Sequence, residues 1–145
     1  MSEKNTILLV EDDPLDAQLM QLAVRNADSP FFLLRVCDGE KAIQYLSREK
    51  EFSDTGEFPE PFLVVLDLAL PLVSGFEVLR WMQAQTKPMP PVVVLSHSLM
   101  ERDRRLAYEL GAKLFVPKPP NFEGTVALVR SLGSFCQKNY QPVTA

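Results

Sequence analysis

Five short, almost unbroken apolar runs recur along the chain: 7–10 (ILLV), 31–37 (FFLLRVC), 62–66 (FLVVL), 92–95 (VVVL) and 113–116 (KLFV). A strand with one wet face alternates polar and apolar residues, and a buried helix runs for ten residues or more, so runs like these read as strands covered on both faces. A sheet covered on both sides needs helices between its strands, and parallel neighbours need a crossover of that length. The stretches between the runs supply them. Asp13-Pro14 offers an N-cap and a proline at the first helical position, and Leu15, Leu19, Leu22 and Ala23 recur as one face until Asp28-Ser29-Pro30. After the Asp38-Gly39 turn a short helix carries Ala42, Ile43 and Leu46 and fades by about Arg48. Residues 49–61 (EKEFSDTGEFPEP) are acidic, hold Gly and two Pro, and have no period, which predicts a long exposed loop.

The third helix, 75–85, places Phe76, Leu79 and Met82 on one face and stops at Thr86-Lys87-Pro88. The fourth carries Leu106 and Leu110 and closes at Gly111, a residue suited to a left-handed C-cap. The fifth runs from about 122 to 138, with Asn121 as its cap. Five strands alternating with five helices define an α/β fold with helices on both faces of a parallel sheet, and right-handed crossovers leave few topologies for it.

A chain of 145 residues suits one domain, here 1–145, with the loop 49–61 and a tail at 139–145. Hydrophobic residues are 46% and charged ones 23%, and no apolar run approaches a membrane span. The polar lead MSEKNT lacks the basic and apolar segments of a secretory signal, so a cytoplasmic protein is expected, with no membrane partner. A formal charge of −4 without any Lys/Arg-dense segment argues against nucleic acid as a partner. Cys37 and Cys136 are too few and too far apart for a disulfide framework or a metal motif and read as reduced thiols.

The polar chemistry collects at the strand ends. Asp67 leaves the run 62–66 directly, Glu11 and Asp12 leave 7–10, Ser96 leaves 92–95, and Lys118 follows 113–116. Ligands of open parallel sheets bind beyond these carboxyl ends, where strand order reverses. Three converging carboxylates repel one another unless a cation or a reaction requires them. Their hard oxygens suit Mg²⁺, which takes one or two carboxylates and waters and leaves room for a phosphate oxygen. Lys118 can then neutralise a phosphoryl group, Ser96 can donate a hydroxyl to it, and Asp67 is the natural nucleophile. Scattered surface charges are the alternative for this set, and the placement of every member at a strand end speaks against it.

Four motifs, LLVEDDP (8–14), VLDLALPLVSG (65–75), VVVLS (92–96) and VPKP (116–119), together resemble the receiver domains of two-component response regulators. The resemblance covers nearly the whole chain in order. It implies the flavodoxin-like sheet of order 2-1-3-4-5 with five helices, and a phosphoryl group accepted from a histidine kinase. By the same resemblance Asp67 is the phosphoacceptor, Glu11 and Asp12 hold Mg²⁺ with the Ala69 carbonyl, Lys118 pairs with the phosphoryl group, and Ser96 is the switch hydroxyl. The chain is also similar to the small single-domain regulators paired with bacterial phytochromes, which carry a long acidic loop and an aromatic C-terminal tail, here Phe135 and Tyr140.

Several positions depart from the family pattern. Phe115 stands where many receivers have a switch tyrosine; it is either a steric switch or a core aromatic. Pro117 removes a strand N–H, as a strand end tolerates. Lys118-Pro119 matches a peptide that is cis in the family, but the sequence leaves its isomer open. His97 follows Ser96 where a small residue is usual and is expected to face solvent. Ala69 occupies the place of an amide that often positions hydrolytic water, which implies slow loss of the phosphoryl group. Arg102, Arg104 and Arg105 form a docking patch or a solvated helix face, and the second is the commoner case. Val126, Leu128, Val129, Leu132, Phe135 and Cys136 cover about half of the last helix, which leads to the expectation of a homodimer through helix four, strand five and helix five.

Three functions remain open at this stage: a non-enzymatic, phosphorylation-dependent signalling module; a Mg²⁺-dependent phosphohydrolase; and a receiver-like docking protein that is never phosphorylated. Ala69 separates the first two, because haloacid-dehalogenase-like phosphatases need a second acid there to protonate the leaving group. No output domain fits beside the core, so the signal is expected to leave by protein contact or phosphotransfer.

Overall fold

The computed structural model describes residues 6–139, with side chains described to Ser134. The strands are β1 (Thr6–Val10), β2 (Phe32–Val36), β3 (Leu63–Asp67), β4 (Val92–Ser96) and β5 (Leu114–Pro117), and the helices are α1 (Pro14–Asn26), α2 (Gly39–Leu46), α3 (Gly75–Gln83), α4 (Glu101–Glu109) and α5 (Phe122–Asn139). All neighbours are parallel and the order is β2-β1-β3-β4-β5. This is the expected flavodoxin-like arrangement, with β1 and β3 adjacent at the point where strand order reverses.

Alternation along the strands divides the core in two. Leu8, Val10, Val64, Leu66, Val92 and Val94 face α2, α3 and α4, where Ala42, Leu46, Val78, Leu79 and Ala107 meet them. Ile7, Leu9, Leu63, Val65, Val93 and Leu95 face α1 and α5, with Ala17, Met20, Ala23, Val126, Val129 and Leu132. β1, β3 and β4 are buried throughout, while the edge strands β2 and β5 are only partly covered.

Two expectations need correction. On α1 the buried stripe is Ala17, Met20, Ala23 and Val24, whereas Leu15 is 62% exposed and Leu22 42%. The sequence offers two overlapping apolar stripes, and the one holding Ala17, Met20, Ala23 and Val24 turns to the sheet and to α5. Residues 49–61 are also not a bare loop. They contain a 3-10 helix (Lys50–Ser53), and Phe52 is buried. The rings of Tyr45, Phe52 and Phe58 pack 5.0–5.9 Å apart. The Tyr45 hydroxyl donates to the Pro59 carbonyl at 2.6 Å, and the Arg48 guanidinium donates to the Phe58 carbonyl. Two anchors six residues apart have no helical or strand period, so pattern reading passes them over.

Of the apolar residues counted on α5, Val126, Leu128, Val129 and Leu132 are buried within the fold. The side chains of Phe135 and Cys136, and the tail with Tyr140, lie outside the described residues. Cys37 is an exposed free thiol. No helix among the described residues is long and apolar enough to cross a membrane.

Candidate functional site

Parallel register brings the strand-end residues onto one edge. Val10 pairs with Leu66, which sets Glu11 beside Asp67, and Asp67 pairs with Leu95 while Ser96 pairs with Pro117. Each residue expected at the site is therefore at this edge. Oxygens of Glu11, Asp12 and Asp67 lie within 4.8 Å of one another. Glu11 and Asp67 are buried and Asp12 is exposed. A small ion with oxygen ligands at about 2.0–2.1 Å spans roughly 4.2 Å from one ligand to its opposite, so modest closure or a bridging water accommodates it, and the donor set fits Mg²⁺.

Lys118 is the counter-charge. Its ammonium donates to Glu11 Oε1 at 2.8 Å, Asp67 Oδ2 at 3.2 Å and Asp16 Oδ2 at 3.2 Å, with its side chain 8% exposed. Burial alone would lower the pKa of this ammonium. The hydrogen bond to Glu11, the charges of Asp67 and Glu11 and the bond to Asp16 outweigh burial, so it rises and the lysine stays protonated. Glu11 is pushed up to about 7, chiefly by burial with Asp67 adding to it, while Lys118 and the Asp13 N–H pull the other way.

The surrounding backbone holds these groups in place. Arg35 on β2 donates from Nε to the Glu11 carbonyl (2.9 Å) and from Nη2 to the Asp12 carbonyl (3.2 Å). The Ala69 N–H donates to Asp67 Oδ1 at 3.2 Å. Gly75 lies so close under β3 that a Cβ there would strike the Asp67 carbonyl, and its N–H donates to the Leu68 carbonyl. The Lys118 N–H donates to the Ser96 carbonyl at 2.9 Å, and the Ser96 hydroxyl, 3% exposed with its residue, accepts from the Ser98 N–H at 3.0 Å.

Phe115 is half-buried against the α2–α3–α4 side of the core, and its N–H donates to the Tyr108 hydroxyl of α4 at 3.0 Å. The His97 side chain is 76% exposed, as expected, with Nε2 3.8 Å from Asp16. Arg102, Arg104 and Arg105 are exposed; Arg104 and Arg105 sit near Glu101, and Arg104 lies over the Tyr108 ring. Lys118-Pro119 is trans, as no peptide bond among the described residues is cis.

Asp16 and Arg35 are the site residues that sequence reading missed. Asp16 carried a usable signal, an acid in the first turn of a helix that begins at the same sheet edge. Arg35 carried none, because its partners are backbone carbonyls on another segment.

A parallel 2-1-3-4-5 sheet with buried acids and a lysine at its carboxyl edge defines the receiver class. The chain belongs to the response regulator receiver domain family, whose model matches residues 7–130. Among curated proteins it is 34% identical to response regulator Rcp1 of Synechocystis sp. (strain ATCC 27184 / PCC 6803 / Kazusa), over 89% of this chain and 86% of that protein. A crystal structure of the phosphorylated cyanobacterial phytochrome response regulator RcpA matches with 32% identity and a TM-score of 0.84, over 97% of this chain and 99% of the other. The Mn²⁺-bound form of response regulator Rcp1 matches with 31% identity and a TM-score of 0.80, over 94% and 97% of the two chains. The chain thus resembles phytochrome response regulators, and phosphorylation and Mg²⁺ binding are general to its family.

Proposed function

We propose that this chain receives a phosphoryl group on Asp67 from a histidine kinase, one of phytochrome type, and signals from the cytoplasm by a change of surface. The observation that carries this is Asp67 itself: a buried carboxylate, 3.2 Å from a buried ammonium and within 4.8 Å of two further acids. An oxygen of Asp67 attacks phosphorus, the phosphorus–nitrogen bond of the donor phosphohistidine breaks, and the imidazole leaves. Glu11, Asp12, Asp67 and the Ala69 carbonyl would hold Mg²⁺, which would neutralise charge on the phosphoryl oxygens. Lys118 pairs with one of those oxygens, and Ser96 turns its hydroxyl to another.

Movement of Ser96 would reach Phe115 through packing rather than through a phenol. α4 buries little, with Ala107 its one fully buried residue, and β5 is an edge strand; both favour a switch and a homodimer built from α4, β5 and α5. Similarity to RcpA and Rcp1 supports the pairing with a phytochrome-type kinase. Ala69 is exposed and brings no acid to the site, which disfavours a phosphohydrolase.

Incubation with acetyl phosphate and Mg²⁺, read by intact mass, tests the assignment. The expected result is one phosphoryl adduct, absent in Asp67→Asn and absent when the cation is chelated. An unmodified wild type would support the docking protein instead. For the dimer, solution mass with and without beryllofluoride is the measure, and a monomer under both conditions would rule it out.

A further inference from the structure

Asp16 stands at the third helical position of α1, on a turn fixed by Pro14 and by the Leu15 N–H donating to Asp13 Oδ1 at 2.9 Å. An ammonium has three N–H groups, and on Lys118 each meets a different carboxylate: Glu11, Asp16 and Asp67. These three acids are not equivalent. Glu11 and Asp67 belong to the cluster that fits a cation, and Asp16 does not. A cation would draw on Glu11 and Asp67, and a phosphoryl group would convert the Asp67 carboxylate into an acyl phosphate, a mixed anhydride. Asp16 is then the one carboxylate whose hold on the lysine neither event disturbs.

Space beside the lysine makes such a hold useful. A cavity of about 70 Å³ opens between α1 and the start of α5, lined by Asp16, Leu19, His97, Lys118 and Thr125 among others. A four-carbon side chain with room on that side loses its aim unless something pins the head group. We infer that Asp16 is a positioning residue, anchoring the Lys118 ammonium from the α1 side so that it faces the phosphoryl group on Asp67. His97 Nε2 lies 3.8 Å from the same Asp16 oxygen, on its solvent side. The inference rests on Asp67 as phosphoacceptor.

The test is a double-mutant cycle on the initial rate of phosphoryl uptake from acetyl phosphate at saturating Mg²⁺. Asp16→Asn is expected to slow uptake roughly three- to tenfold, the loss of one charge-assisted hydrogen bond at a partly solvated site. Asp16→Glu should recover most of the rate. In a Lys118→Ala background, followed for long enough to reach its lower rate, Asp16→Asn should add nothing. A wild-type rate in Asp16→Asn, or the same fold loss with and without Lys118, would overturn the inference while leaving Asp67 in its role. No uptake by the wild type would overturn both.

Discussion

The Lys118 ammonium meets the Asp67 carboxylate at 3.2 Å across 51 residues of chain, and the Lys118 backbone N–H is tied to Ser96 at the end of the intervening strand. Lys118 thus joins the ends of β3, β4 and β5 through one residue. Its removal leaves Glu11 and Asp67 buried without a counter-charge. For Lys118→Met we expect a loss of about 2 kcal/mol near neutral pH, below the usual cost of breaking a buried pair because Glu11 can take up a proton. Urea denaturation in chelator measures it, and excess Mg²⁺ should recover most of the loss. Unchanged stability would mean that the acids are not charged together.

Glu11 sets a pH dependence. Its folded pKa of about 7 stands above the ordinary 4.5, so between those values the folded chain keeps a proton that the unfolded chain has lost. Its contribution to stability is therefore full below about pH 4.5 and is lost as pH rises through 7 in metal-free protein. Cation binding must displace the same proton. Mg²⁺ affinity measured by calorimetry should rise by up to about tenfold from about pH 6 to about pH 8, and Glu11→Gln should bind weakly with a flat profile. A flat wild-type profile would separate Glu11 from the cation.

Ala69 donates its N–H to Asp67 but has no side-chain amide to orient a water. Ala69→Asn should shorten the lifetime of the phosphorylated protein roughly three- to tenfold by positioning that water for attack. Loss of label after removal of the donor gives both rates, and equal rates would refute the role.

Phe52 anchors the 49–61 segment in a pocket with Tyr45 and Phe58. Phe52→Ala should cost about 3 kcal/mol in urea denaturation, the usual range for a buried ring. A loss below about 1 kcal/mol would return this segment to the status of a surface loop.

Strand identity and site chemistry were largely legible in the residues themselves. Uniform apolar runs mark β1, β3 and β4 because both faces are buried, and an acid at the end of such a run has few reasons to be there except a site. Legibility failed where two readings share one pattern. Leu15 and Leu22 satisfy a helical period as well as Ala17, Met20 and Val24 do, and only docking against α5 and the sheet chose between them. Phe52 and Phe58 follow no period. Val126, Leu128, Val129 and Leu132, counted with Phe135 and Cys136, read as more apolar surface than one core needs, yet the sheet and α1 take the first four.

The sequence by itself determined the order and type of the elements and the sheet edge on which Glu11, Asp12, Asp67, Ser96 and Lys118 collect. Period and strand-end position are local properties, readable over a few residues. Tertiary structure decided the rest: that Lys118 is shared among three acids, that Asp16 is one of them, that Arg35 clamps the Glu11 and Asp12 carbonyls, and that burial lifts Glu11 toward neutrality. Those contacts join residues up to 107 positions apart, and their strength depends on distance and exclusion of water, neither of which a linear pattern encodes.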